Sequence, residues 1–214
     1  FSLWVVAWRR GPGNRGSGRL TTDALEFLRR QDAEHGPFQI EFRVRTEVDW
    51  PVTLDYWFGA PAWRDGGHTF DLVGVDATGG LYCLWRYPEL GDRAPPVVFL
   101  GSEGEGIAVI AGDATSLVEA LAQGYWWFAS LGRFVRDEEN LRQPAVDAFR
   151  EQAAAFLARP LRSPESIVEA GQAQHPNFAA FVARTLELCA SANAGGAGGD
   201  GDEEQSNDGE DDEE

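Results

Sequence analysis

The stretch that decides the fold is Thr69-Phe70-Asp71-Leu72-Val73-Gly74-Val75, then Asp76-Ala77-Thr78-Gly79-Gly80, then Leu81-Tyr82-Cys83-Leu84-Trp85-Arg86-Tyr87. Two apolar runs rich in β-branched and aromatic residues flank five turn-forming residues. That pattern predicts strands over 69–75 and 81–87, with the glycine pair supplying positive φ for a tight hairpin. Downstream, Val97-Val98-Phe99-Leu100 and Ile107-Ala108-Val109-Ile110-Ala111 are apolar on consecutive residues. Such runs predict central strands buried on both faces. They are joined by Gly101-Ser102-Glu103-Gly104-Glu105-Gly106. Asp113 is placed to cap a helix carrying Leu117, Val118 and Leu121 on one face, with Gly124 ending it.

Upstream, Phe38, Ile40, Phe42 and Val44 alternate with Gln39, Glu41, Arg43 and Arg45. This is the period-two signature of a strand with one wet face. A strand is also expected over 52–58 and a short one over 1–8, followed by a flexible glycine-rich loop. Thr22 is expected to cap a helix that ends near His35-Gly36-Pro37. Strands linked in series by hairpins and then a helix predict an α+β fold. The expectation is a mostly antiparallel sheet of about five to six strands flanked by helices.

Beyond the aromatic cluster Tyr125-Trp126-Trp127-Phe128, helical signals begin at Asp137. Pro144 suits a first turn, Ser163-Pro164-Glu165 opens a second helix, and His175-Pro176-Asn177 precedes a third. The expected organisation is an N-terminal strand and loop over 1–20, an α+β domain over 21–135, helices packed on it over 136–190, and a disordered acidic tail over 191–214.

The run over 69–124 resembles the SUKH superfamily of bacterial toxin-immunity proteins and cell-wall regulators. The resemblance rests on the hairpin from Phe70 to Tyr82, on Trp85, on Pro96-Val97-Val98-Phe99-Leu100-Gly101-Ser102-Glu103-Gly104-Glu105, and on the capped helix from Asp113 to Gly124. The family's opening Leu-Pro pair has no counterpart here. The resemblance implies a non-catalytic α+β domain that neutralises a cognate toxin, often a nuclease, by direct contact. A regulatory or scaffold module binding a host protein is the alternative reading of the same fold.

Composition bounds the partners. The 214 residues carry a formal net charge of −17, with 35 acidic and 18 basic side chains. Ten of the acids lie between Asp200 and Glu214, and without them the net charge is −7. An acidic field disfavours nucleic acid and anionic membrane and favours a basic protein partner. Every basic residue is Arg, which removes lysine-based chemistry such as Schiff-base formation. No Met is present and the chain begins at Phe1, so upstream residues or a processed start are expected. No export signal and no run of about 20 apolar residues is read, and a cytoplasmic location is expected.

The candidate partner-binding residues are Asp76, Glu103 and Glu105 on hairpin tips, with Trp63 and Trp126 as aromatic anchors. A phosphate cradle at 101–106 would need a helix start and tolerates acids poorly. Two readings of that loop stay open: a tight structural hairpin, and a hairpin that also offers its acids to a basic partner. Trp57 and Trp85 read as core. Trp126 and Trp127 are adjacent, so one of the two is expected to be half-exposed or covered by the C-terminal helices. Cys83 and Cys189 have no metal or disulfide spacing. His35, His68 and His175 each sit beside Gly or Pro, in expected loops, and a metal site would need them to converge with acids from distant segments. No catalytic residue, metal or cofactor is expected. A hydrolase would require His68, Asp71 and another acid to line one deep pocket.

Overall fold

The computed structural model describes residues 17–35, 42–45, 67–102, 104–136, 138, 140–142 and 144–196. In chain order these form α1 (Ser17–His35), β1 (Arg43–Val44), β2 (Thr69–Val75), β3 (Leu81–Arg86), β4 (Val97–Leu100), β5 (Ala108–Ala111), α2 (Ala114–Ala122), β6 (Tyr125–Phe128), β7 (Arg133–Arg136), α3 (Pro144–Leu157), α4 (Pro164–Gln174) and α5 (Asn177–Gly196). Strands β1 to β5 pair in sequence order as an antiparallel sheet, and β6 pairs with β7 as a separate hairpin. The expected α+β architecture with C-terminal helices is present.

Alternation along the central strands divides the apolar side chains between two cores. Tyr82, Leu84, Val97 and Phe99 point into one core with α1, α2 and α3. Leu81, Cys83, Trp85, Val98 and Leu100 point into the other, where Phe178 arrives from α5. The consecutive apolar runs are therefore two faces of fully covered strands, as two-sided burial predicts. Val73 is the extra residue of a bulge in β2, because the register steps from Leu72↔Cys83 to Gly74↔Tyr82.

Several local expectations meet differences. Only Gly79 of the 76–80 turn has positive φ, at 92°. Gly80 instead lies under the Phe99 ring, where a side chain would collide. The first helix begins at Ser17, ahead of the Thr22 cap site. Thr21 is only 6% exposed, so the turn before Thr22 is packed and continues the helix. The aromatic run 125–128 is a strand, β6, whose return strand β7 was not anticipated. Helix α5 runs on to Gly196. The expected strands over 1–8 and 52–58, the first part of the alternating 38–45 segment, and the tail beyond 196 lie outside the described residues.

Two contacts fix the helices. Glu119 of α2 is fully buried and accepts hydrogen bonds from Arg159 (Nη1 3.1 Å, Nη2 2.6 Å), from Arg162 (Nε 3.0 Å, Nη2 2.7 Å) and from the Arg162 backbone N–H. Ala158, at φ 50°, turns the chain after α3 so that both arginines come back onto α2. Helix α4 lies along β5: the backbone of Gly171 leaves no room for a Cβ against Ala111 and Gly112, and Gln172 Nε2 donates to the Val109 carbonyl at 3.3 Å.

Candidate functional site

Three connections meet at one end of the sheet. Leu81 and Leu100 are paired, so the 76–80 turn and the 101–106 loop leave the sheet side by side. A Cβ built on Gly79 would sit 3.8 Å from Ser102 Cβ. Gly106, at φ 64°, lies so close to Ala129 that a Cβ there would be 2.7 Å from the Ala129 Cα. Ala129 opens the 3-10 turn Ala129–Leu131 between β6 and β7. The sheet end is thus continuous with the tip of the second hairpin.

The candidate residues have different environments there. Asp76 is 6% exposed, and its Oδ1 accepts from Thr78 N (2.9 Å), Thr78 Oγ1 (2.8 Å) and Gly80 N (2.8 Å). Its carboxylate organises the turn, as Asp commonly does. Glu105 is half-buried and folds back over Gly101. Its Oε2 is shielded from solvent and has no hydrogen-bond partner among the described residues. Glu103 and Trp63 lie outside the described residues.

Trp126 and Phe128 share one face of the β6–β7 hairpin with Val135 and Arg133, by register. Trp126, Phe128 and Val135 are half-buried, the two rings meet edge-on at 5.1 Å, and Leu131 at the tip is 54% exposed. The opposite face carries Trp127, 1% exposed, into the core against Phe134. The expected division between the two tryptophans is therefore present, with Trp126 the outward one. The site gathers Asp76, Glu105 and Trp126 into one end of the molecule. Phe128 and Leu131 are members that sequence reasoning passed over. The available signal was Gly132, at φ 59°, between two short runs of strand-forming residues.

A second feature lies at the opposite end of the sheet. A cleft of about 530 Å3 is lined by Asp92, Arg93, Gly112, Asp113, Gln174 and His175, among others. His175 is 3% exposed, and its Nδ1 is 2.9 Å from the Tyr87 hydroxyl. Arg93 Nη2 donates to the same hydroxyl at 3.1 Å and to the Glu89 carbonyl at 2.9 Å. Arg93 also donates to the carbonyls of Leu90 and Gln174. Asp113 Oδ1 caps α2 through Ser116 N at 2.7 Å. Asp92 too has a partner. The charged groups of this cleft are thus committed to holding three connections together. No local spacing marks Tyr87 and His175 as partners, since they are 88 residues apart.

His68 and Asp71 go separate ways. His68 Nδ1 accepts from Trp85 Nε1 at 3.2 Å beneath Phe181, and Asp71 pairs with Arg86 at 2.9 Å on the surface. Cys83 is fully buried, and that burial, with Asp71 adding to it, pushes the thiol well above its ordinary value. It is a core residue in a strand rather than a thiolate nucleophile. Among the described residues no group of three His, Cys, Asp or Glu is arranged to hold a metal, and no helix is long and apolar enough to cross a membrane. Comparison of the chain with protein-family models, with curated proteins and with solved structures gave no match.

Proposed function

We propose that this chain is a binding protein of the immunity type, which neutralises a basic toxin domain by direct contact and without chemistry of its own. The observation that carries the reading is the convergence of the 76–80 turn, the 101–106 loop and the β6–β7 tip at one end of a sheet buried on both faces. That end offers half-exposed aromatics, Trp126 and Phe128, and carries the half-buried carboxylate Glu105 in the 101–106 loop. Aromatic anchors in a well-supported patch are what hot spots are made of. The acidic balance of the chain adds steering toward a basic partner and makes association salt-sensitive. The resemblance over 69–124 supports the same reading.

The test is co-expression with basic toxin domains, beginning with any that the neighbouring reading frames encode. Growth should be rescued, and the purified pair should bind with an affinity that weakens as salt rises. Trp126→Ala should lose rescue while the protein keeps its melting temperature. Failure to rescue cells from any of those toxins, or rescue undiminished in Trp126→Ala, sinks the proposal or its assigned surface respectively.

A further inference from the structure

Helix α5 is held on the sheet by a box of rings. Phe178 meets Trp85 edge-on at 4.8 Å, and Phe181 lies 5.6 Å from Trp85 and 6.2 Å from Phe70. The seat is short. Thr185 is 3% exposed, whereas Leu186 and Leu188 are 46% and 45% exposed. A histidine stands at each side of the box. His68, just before β2, lies under Phe181 with ring centroids 4.2 Å apart and accepts the Trp85 indole N–H. His175, at the corner between α4 and α5, meets Tyr87, and its backbone carbonyl accepts from Phe178 N at 3.4 Å.

We propose that the His68–Trp85 and His175–Tyr87 pairs form an acid-sensitive latch that holds α5 on β2 and β3 near neutral pH and frees it on acidification. The proposal is independent of what the hairpin end binds.

The His68 hydrogen bond requires a neutral ring, and burial with the neighbouring Arg93 guanidinium disfavours a charge on His175. An indole N–H only donates, so His68 Nδ1 must carry no proton. Protonation sets N–H against N–H and leaves the buried indole without an acceptor. At the other side, the Tyr87 hydroxyl accepts from Arg93 and stands 2.9 Å from His175 Nδ1, so the Arg93 guanidinium is held close to that ring. His175 also hydrogen-bonds the Gly112 backbone, which opposes the effect of burial. A second proton would place an imidazolium beside the Arg93 guanidinium, out of water.

Burial is the largest influence on His68, Glu89 opposes it, and Arg184 of α5 adds to it. The Phe181 face also favours a cation. Burial is again largest for His175, followed by Arg93, with the Gly112 hydrogen bond and Asp113 opposing. Both imidazoles lie below their ordinary value of 6.5. A freed imidazole therefore takes up a proton below about pH 6.5 that the latched one refuses. The latch is at full strength above that pH and weakens as pH falls toward the lowered values.

The experiment is hydrogen–deuterium exchange on the full chain at pH 7.5 and 5.5, corrected for intrinsic exchange. Protection of residues 178–188 should fall by up to about tenfold per histidine at the lower pH, while β3 and β4 hold theirs. In His68→Gln combined with His175→Gln, each amide oxygen accepts without titrating, and the pH difference should flatten. Equal α5 protection at both pH values in the unmodified protein overturns the proposal. So does a pH difference that survives intact in the double variant. If that variant does not fold, the unmodified protein decides alone.

Discussion

Glu119 is a carboxylate with no solvent contact, so its burial is costly unless donors surround it. Burial is the largest single influence and pushes its carboxyl upward, but the donors from Arg162 and Arg159 together outweigh it and hold the group below its ordinary value of 4.5. The linkage sign follows: the cluster stabilises the fold above that pH, and the contribution is lost as pH falls through the lowered value. Removing one member of a buried pair typically costs about 3–5 kcal/mol. Both arginines are more than a third exposed, at 38% and 37%, and water screens part of the interaction. Glu119→Ala should therefore cost about 2–3 kcal/mol in urea unfolding at pH 7, and markedly less near pH 3. Next to this cluster, Ala158 occupies left-handed backbone that costs an L-residue about 1 kcal/mol. Ala158→Gly should leave stability unchanged or raise it by up to about 0.5 kcal/mol, because glycine's extra unfolded-state entropy offsets part of the relief. A loss of more than about 1 kcal/mol in the same unfolding assay would show that this turn is not strained.

At the level of elements, local chemistry was legible where it is self-contained. Asp113 caps α2, Ser163 caps α4 and Pro144 opens α3, each an interaction complete within one turn. Asp113→Ala should destabilise the protein by about 1 kcal/mol, read as a lowered thermal midpoint. The central strands of the large sheet were also legible, because apolar runs of strand length are bounded by Gly- and Pro-containing connections. The β6–β7 hairpin was not. Four consecutive aromatics erase the period of two, and only pairing with Arg133, Phe134, Val135 and Arg136 assigns one face inward and the other outward. The early start of α1 escaped for a related reason: Thr22 is a good local cap, and packing of Thr21 overrides it. Within the candidate site, residue type alone points to Trp126 and Glu105 as candidates, and the structure places both at the same end of the sheet. The interior duty of Asp76 was hidden, because three hydrogen bonds within a turn look the same in sequence as a free carboxylate.

Across the whole molecule, the sheet is a partition between two cores, so the same residue type has opposite consequences on its two sides. Trp127→Ala should cost about 3–5 kcal/mol, since it empties a fully buried site. Trp126→Ala, one residue away on the outer face, should change stability by less than about 1 kcal/mol. Parallel thermal melts of the two variants check this, and similar losses would mean that the outer face is core. Helix α4 adds a constraint of another kind. By lying on β5 and engaging the Val109 carbonyl through Gln172, it occupies the margin where a further strand would add. Uncovered strand margins are templates for chain-to-chain stacking. A bulkier residue at 171 would collide with the Ala111–Gly112 backbone and lift the helix, so the expected fault is fibre growth between molecules, read by light scattering, as well as lost stability within one.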